Sequence, residues 1–332
     1  MNQYINDLSS LIINCNFDNT YKMAWAKSIV ELISELNLEE IEEESEIEID
    51  FADIAKKCVQ YYWNQSAYFD LFQGSNIKKQ PEILTHTKSL IEAYYTDKGD
   101  RKAQNFIKVV PFKNEELNHQ YEILLKQTVR VLKQDVCWRF KKLNGKTIEV
   151  YRLDKTNGKI FFDKEQAKAI KENSLLLLQL INYRWTQMLE TFNVSPKIAM
   201  KVRVTNDNLE IKRANLKKYR TYLDLEFKDG DIRCFYCGGI IPESEISLDH
   251  VIPWSYMYSD DLWNLVYCHK SENSMKQATL VDEEIILKVE ERNKTLLRLL
   301  EENGIDDKNV QELKLSLEKS WLKQFWMSYR GA

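Results

Sequence analysis

The spacing of apolar residues along the chain is mostly helical. Apolar side chains recur every three or four positions from a start at Asn19 or Thr20 to Ile33, and this pattern predicts a core helix. The same spacing predicts further helices over 81–95, 114–131, 163–192, 281–303 and 306–329. Aromatic residues recur at helical spacing over 52–72, which favours helix packing over a platform for nucleic-acid bases.

Two places depart from the helical pattern. Alternating residues over 146–153 and 159–162, joined through Asn157 and Gly158, predict a β-hairpin. The second place lies between 230 and 253, where three of the nine glycines and two of the five prolines occur. Because these residues are otherwise scarce, we expect a mainly α protein with a short non-helical module there.

The net charge of −4 is unevenly distributed along the chain. Residues 31–53 carry eleven carboxylates and no Lys or Arg, and without them the net charge is +7. We expect this acidic run to be a solvated loop or helix face, and the alternative is a nucleic-acid mimic that covers a basic surface. Residues 197–220 include eight basic residues and two acidic ones, and this excess of positive charge is compatible with binding a phosphate backbone. The candidate contacts are Lys212, Arg213, Lys217, Lys218 and Arg220, with a solvated surface as the alternative.

The cysteines and the apolar runs bear on the cellular compartment. Six cysteines are scattered except for Cys234 and Cys237, and the sequence shows no signal peptide, so we expect a reduced, cytoplasmic protein. The best candidate for a membrane span is the seven-residue run 175–181, far below the roughly 18 residues required. We therefore expect no membrane role.

Residues suited to phosphodiester chemistry lie close together in the C-terminal half. Asp249 offers an anionic oxygen and Asn273 a carbonyl oxygen, a pair that suits a hard divalent cation. His250 is suited to deprotonate a water molecule. Because neighbouring residues on a strand point to opposite sides, the chain has to bend near Ile252 and Pro253 for Asp249 and His250 to reach one phosphate.

Several short motifs in this region occur together in one family. They are Cys-Phe-Tyr-Cys-Gly-Gly from residue 234, Asp-His-Val-Ile-Pro-Trp-Ser from residue 249, and Asn264, Asn273 and Lys276 at 14, 23 and 26 residues after His250. The set resembles the HNH endonuclease family, and the spacing is similar to that in RNA-guided effector nucleases. The resemblance implies a ββα-metal module in which Asp249 and Asn273 hold Mg²⁺ or Mn²⁺ and His250 activates water.

The resemblance also implies roles for two further residues and a set of products. Asn264 would bridge backbone groups of the loop that holds His250. Lys276 has two interpretations, a contact to the scissile phosphate or a solvated position at a helix end. Cleavage by this family leaves 5′-phosphate and 3′-hydroxyl ends.

The chain departs from the family at a second metal site. Many HNH modules hold a structural Zn²⁺ with two Cys-x-x-Cys pairs. Here the first pair is Cys234 and Cys237, whereas His269 and Glu272 stand at the places of the second. A site completed by Glu272, or by Cys268 after a shift, fits zinc chemistry, and the alternative is a turn without metal.

Together, these patterns predict the organisation of the chain. We expect a helical N-terminal domain over 1–195 that contains the hairpin, a basic connector over 196–225, the HNH module over 226–280, and two C-terminal helices within 281–332 that pack on the module. The fold class is mainly α.

The predicted function is a metal-dependent endonuclease that cleaves DNA, in the manner of a bacterial restriction or anti-phage defence effector. Two alternatives stay open: an RNase that uses the same site, and a non-catalytic protein that binds nucleic acid or a partner on an HNH scaffold. Beyond DNA, the expected partners are a second copy of the chain or a sensor or ATPase protein.

Overall fold

The computed structural model describes residues 2–42, 45–76, 78–211, 213–227, 230–276 and 281–330. The chain divides into two compact units. Unit 1 comprises Met1–Asn193 and Ile198–Glu210, and unit 2 comprises Val194–Lys197 and Ile211–Ala332. The stretch 196–225, assigned to a connector from the sequence, is divided between the two units.

Helices make up most of the described chain, as predicted. In unit 1 they are α1 (Gln3–Asn14), α2 (Tyr21–Glu35), α3 (Phe51–Phe69), α4 (Glu82–Lys98), α5 (Phe106–Val109), α6 (Glu115–Val131), α7 (Lys164–Glu172), α8 (Ser174–Phe192) and α9 (Ile198–Asn206). In unit 2 they are α10 (Arg220–Leu223), α11 (Trp254–Met257), α12 (Lys270–Lys276), α13 (Glu283–Glu302), α14 (Lys308–Glu318) and α15 (Trp321–Arg330). Among the residues described, no helix is long and apolar enough to cross a membrane.

The strands are short. They are β1 (Ile47–Asp50), β2 (Lys142–Leu143), β3 (Lys146–Thr147), β4 (Arg152–Asp154), β5 (Lys159–Phe162), β6 (Ile246–His250) and β7 (Leu265–His269). They form a three-stranded sheet in the order β1-β5-β4 and two two-stranded pairs, β2-β3 and β6-β7. The first strand of the predicted hairpin is therefore shorter than expected, because Lys146 and Thr147 pair with β2 instead.

The aromatic residues of α3 form part of the core of unit 1. Tyr61, Tyr62 and Trp63 are fully buried. Trp185 of α8 meets Tyr61 and Tyr62 edge-on, with ring centroids 5.9 and 6.1 Å apart. The prediction of helix packing is thus confirmed, and these three rings are not available to stack on bases.

The acidic run contains a strand, so the prediction of a solvated loop or helix face is wrong for its second half. Ile47 and Ile49 are buried in β1, which pairs antiparallel with β5. Between them, Glu48 forms an ion pair with Lys159 of β5. The alternation of apolar and acidic residues is that of a half-buried strand, and the density of charge concealed it.

Two predicted long helices are each broken once. The helix expected over 163–192 is divided at Asn173, after a capping box between Asp163 and Gln166 that starts α7. The last helix, which begins after the N-cap Asp307, is divided at Ser320, whose φ is +51°. A residue in the left-handed region ends a helix because the next turn cannot continue in register.

A buried ion pair lies within α2 of unit 1, and its carboxylate also accepts a hydrogen bond from Tyr61 of α3. The side chain of Lys27 is 1% exposed, and its Nζ lies 2.7 Å from Glu31. Burial acts to raise the pKa of Glu31, but the charge and hydrogen bond of Lys27 and the hydroxyl of Tyr61 outweigh it and hold the pKa below its ordinary value. Glu31 therefore stays ionised and balances the buried ammonium group.

Unit 2 is built around the β6-β7 pair. The strands are antiparallel, with Asp249 opposite Val266 and His250 opposite Leu265. The C-terminal helices complete the core around Trp263, which precedes β7 and lies 6.0 Å from the ring of Phe325 and 6.2 Å from that of Trp321. Helix α12 follows β7 directly and packs on both strands.

Candidate functional site

The last two residues of β6 begin the candidate site. Asp249 and His250 are 6% and 8% exposed. Adjacent residues of a strand point to opposite sides, and the two side chains accordingly have different partners. Asp249 contacts Tyr236 and Lys276, whereas His250 reaches Asp260 in the loop before β7.

Asp249 is held by two donors on one of its oxygens. The hydroxyl of Tyr236 donates to Oδ2 over 2.6 Å, and Nζ of Lys276 donates to the same atom over 2.8 Å. Burial and the charge of Asp249 raise the pKa of Tyr236 well above its ordinary value, so this hydroxyl keeps its proton. Within the described part of the chain, Oδ1 accepts no hydrogen bond, which leaves this oxygen to a ligand.

Lys276 contacts both Asp249 and His250. Besides the ion pair with Asp249, its Nζ donates to the backbone oxygen of His250 over 2.6 Å. Its side chain is 11% exposed. Of the two interpretations derived from the sequence, the solvated helix end is wrong, because the ammonium group lies inside the site.

Asn264 bridges the loop that follows β6. Its Nδ2 donates to the backbone oxygen of Ile252 over 2.9 Å, and its Oδ1 accepts from the backbone N–H of the same residue over 2.8 Å. The backbone oxygen of Asn264 also accepts from Val251 over 2.9 Å. These three bonds hold the bend after His250 that the sequence analysis requires.

Asn273 lies along the same strand from helix α12. Its Nδ2 donates to Oγ of Ser247 over 2.9 Å and to the backbone oxygen of Leu248 over 3.4 Å. Because the amide nitrogen takes these acceptors, the carbonyl oxygen is directed elsewhere, and no described residue donates to it. Asp249 and Asn273 thus each keep one hard oxygen for a cation.

Asp260 is a site residue that the sequence analysis missed. Its Oδ1 lies 2.9 Å from Nε2 of His250, and the two side chains are 14% and 9% exposed. The signal available in the sequence was weak, since Asp260 sits in a polar loop next to a second aspartate, Asp261, and nothing in the pattern distinguishes the two.

Four other side chains form a candidate metal centre. Cys234, Cys237, His269 and Glu272 each offer one ligand atom, and these atoms lie within 4.8 Å of one another. Sγ of Cys234 donates to Glu272 over 2.5 Å, and Nδ1 of His269 lies 3.3 Å from the same carboxylate oxygen. Two sulfurs, a nitrogen and an oxygen form a set that Zn²⁺ binds tetrahedrally.

The backbone explains why these four residues meet. A turn closes between Cys234 and Gly239, with Gly238 at φ +74°, a conformation that favours glycine. The N–H of Phe235 then donates to the oxygen of Tyr267 over 2.8 Å, which places the turn beside the end of β7. Cys268 is buried on the opposite side of β7 from His269, so the alternative in which it completes the site is wrong for this arrangement.

The thiol of Cys234 retains its proton when no cation is bound. Burial raises its pKa, and the hydrogen bond to Glu272 acts in the same direction. Hydrogen bonds from Cys234 and His269 lower the pKa of Glu272 despite its partial burial. A cation held by these residues would replace the thiol proton, and its binding would then be coupled to proton release.

One of the candidate nucleic-acid contacts lies beside the Asp249 site. The guanidinium of Arg213 is 5.0 Å from the ring centroid of Trp254. Burial lowers the pKa of Arg213, while Asp260 and Asp249 act to raise it, so both carboxylates are close to this cation. Arg213 therefore combines a fixed stacking position with proximity to the site.

The other four candidates are in different surroundings. Lys212 lies outside the described residues. Lys217 and Lys218 are exposed, and Nζ of Lys218 lies 4.8 Å from the ring centroid of Tyr219. A hydrogen bond with Tyr267 raises the pKa of Arg220. Their positions are compatible with a solvated surface as well as with a phosphate backbone.

Comparison with known proteins gives one match. Residues 234–281 match the family model of the HNH endonucleases. The matched segment includes Asp249, His250, Asn264 and Asn273 as well as the four-residue metal centre, and the chain therefore carries an HNH domain within unit 2. No curated protein and no solved structure shows a significant match to the chain.

Proposed function

We propose that this protein is a metal-dependent endonuclease that hydrolyses phosphodiester bonds of DNA. The observation that carries the proposal is the buried pair of Asp249 and His250 at the end of β6, with Asn273 and Lys276 of α12 along it, inside the HNH domain. A non-catalytic scaffold has no need for this set of polar groups, because burying them costs free energy that packing alone does not return.

The donor set suits a hard divalent cation. Asp249 and Asn273 would hold Mg²⁺ or Mn²⁺ through oxygen atoms that accept no other hydrogen bond among the described residues. When bound, such an ion stabilises negative charge on the phosphate and on the leaving 3′ oxygen.

His250 is the proposed general base. Its Nε2 is occupied by Asp260, so Nδ1 is the nitrogen that accepts a proton from the attacking water. Asn264 keeps the backbone around His250 in its bent conformation. The products that the resemblance to the HNH family implies are a 5′-phosphate and a 3′-hydroxyl end.

Two cations are proposed to bind the substrate. Lys276 holds Asp249 in place and lies within reach of the phosphate that the ion would bind. Arg213, stacked on Trp254, would contact a neighbouring phosphate. Lys212, Lys217, Lys218 and Arg220 would extend this contact along the backbone.

We also propose that Cys234, Cys237, His269 and Glu272 bind a structural Zn²⁺. The four ligands come from the turn before β6 and from the β7-α12 junction, so one ion would fasten the turn to the elements that carry Asn273 and Lys276. Such a site contributes directly to the stability of a small module.

The test of the catalytic proposal is cleavage of supercoiled plasmid in Mg²⁺ or Mn²⁺. Wild type is expected to nick or linearise the plasmid, EDTA to prevent this, and His250→Ala to leave only a slow residual rate. His86→Ala is the matched control, because His86 lies in unit 1 with its side chain 37% exposed. Wild-type protein that leaves DNA intact in every divalent metal contradicts the proposal, and a competition with labelled RNA distinguishes a DNase from an RNase.

The proposed biological role is bacterial restriction or anti-phage defence in the cytoplasm. It rests on the combination of an HNH domain with a helical N-terminal part. A homodimer or a sensor or ATPase protein is the proposed partner. Phage plating on cells that express wild type or His250→Ala tests the role, and equal plaque numbers on both contradict it.

A further inference from the structure

We propose that Asp260 is a positioning residue for His250, and that it selects the ring nitrogen that receives the proton. The inference rests on the proposed endonuclease function. It concerns the loop between α11 and β7, to which neither the family match nor the motif spacing assigns a role.

The geometry of the pair determines the tautomer. A carboxylate only accepts hydrogen bonds, so the proton between Oδ1 of Asp260 and Nε2 of His250, 2.9 Å apart, belongs to the ring. In a singly protonated imidazole, a hydrogen on Nε2 leaves the lone pair on Nδ1. Asp260 therefore leaves Nδ1 as the nitrogen that can accept a proton, and its hydrogen bond restrains the ring from rotating about χ2.

The loop that carries Asp260 is itself fixed. The hydroxyl of Tyr219 donates to the backbone oxygen of Asp260. One residue further, Asp261 accepts from Oγ of Ser259 over 2.6 Å, and its backbone oxygen accepts from the N–H of Asn264 over 2.9 Å. The carboxylate is thus presented by an anchored loop, which is what a positioning residue requires.

Burial makes the contact more than a surface ion pair. Only 9% of the His250 side chain and 14% of the Asp260 side chain are exposed, so water does not readily replace either partner. The same arrangement, a carboxylate behind a catalytic imidazole, orients the base in serine hydrolases, where replacing the carboxylate by an amide lowers kcat about 10⁴-fold.

The experiment compares Asp260→Asn and Asp260→Ala with Asp261→Asn in the plasmid assay. Both Asp260 variants are expected to lower kcat by about 10²- to 10⁴-fold while KM for DNA stays within about threefold, because the base is misoriented and binding is untouched. Asp261→Asn keeps an oxygen that accepts from Ser259 and is expected to retain kcat within about threefold.

A second arm tests whether Asp260 acts through His250. If it does, the double variant His250→Ala/Asp260→Ala cleaves no more slowly than His250→Ala alone. A further loss in the double variant overturns the inference, as does a rate of Asp260→Asn that returns to wild type at saturating Mg²⁺, which would make Asp260 a metal ligand. Full activity of both Asp260 variants overturns it as well.

A third arm does not depend on turnover. The ¹⁵N chemical shifts of the His250 ring are expected to show the Nε2-protonated tautomer in wild type and a shift toward the other tautomer in Asp260→Asn. Unchanged shifts contradict the inference. If wild type cleaves nothing but its ring shifts respond to Asp260→Asn, the proposed function fails while the positioning contact stands.

Discussion

Replacing Asn264 by alanine removes the bridge across the loop that follows His250. Asn264 is fully buried, and Ile252, whose N–H and C=O it pairs, is 1% exposed. Neither backbone group of Ile252 can turn to water, so each is left without a partner. A buried polar group that loses its partner costs about 1–3 kcal/mol, and two of them predict a loss of about 3 kcal/mol in the free energy of unfolding of unit 2.

Urea denaturation followed by tryptophan fluorescence measures this loss. Asn303→Ala is the matched control: its side chain donates to the backbone oxygen of Leu299 at an exposed helix end, where water replaces the bond, and a change below about 0.5 kcal/mol is expected. Asn264→Ala should also lower kcat, since the bend that presents His250 is no longer held. If Asn264→Ala unfolds at the same urea concentration as wild type and keeps full activity, the proposed role of Asn264 in holding the loop is refuted.

Three further predictions follow from other parts of the molecule. Purified protein should contain one equivalent of zinc, which Cys234→Ser should lose and Cys268→Ser should keep, as measured by elemental analysis; no zinc in wild type contradicts the centre. Arg213→Ala should weaken DNA binding about equally for all sequences and reduce the salt dependence of log Kd by about one unit, and an unchanged slope argues against a phosphate contact. Glu31→Gln leaves the buried Lys27 unpaired and should destabilise unit 1 by about 3–5 kcal/mol at pH 7. Because the pKa of Glu31 is held below its ordinary 4.5, this difference should shrink as the pH falls below 4.5, whereas a constant difference in thermal scans would show that the ion pair is not its source.

The sequence predicted the helices well because a single irregular residue hardly changes the spacing of apolar residues over a whole helix. The core helix that ends near Ile33 and the aromatic helix α3 are present as predicted, and their buried residues are those that the period selects. The breaks at Asn173 and Ser320 were missed, since a single left-handed or irregular residue hardly changes a pattern averaged over five turns. Strand β1 was missed because four residues offer only two apolar positions.

The residues of the candidate site also fall into those that the sequence could suggest and those that it could not. Asp249, His250, Asn264 and Asn273 could be proposed because a family spacing connects them along the chain. Tyr236 and Asp260 could not, since each reaches the site through a loop whose path depends on tertiary packing. Cys234, Cys237, His269 and Glu272 could be suggested as a group, but the choice of Glu272 over Cys268 as the fourth ligand needs the structure, which brings Glu272 of α12 to the other three ligand atoms.

Two separate segments of the chain form unit 2, and the first of them is only Val194–Lys197. In those four residues, the backbone oxygen of Val194 accepts from the hydroxyl of Tyr256 over 2.9 Å, and Nζ of Lys197 donates to the backbone oxygen of Tyr258 over 3.4 Å. A gene fragment that starts at Ile211 lacks Val194, which contacts Tyr256 of helix α11, and Lys197, which contacts Tyr258 just after it. Unit 2, which contains the HNH domain, is therefore not encoded by one continuous stretch of the gene, and an exchange that preserves these contacts has to carry residue 194 onward.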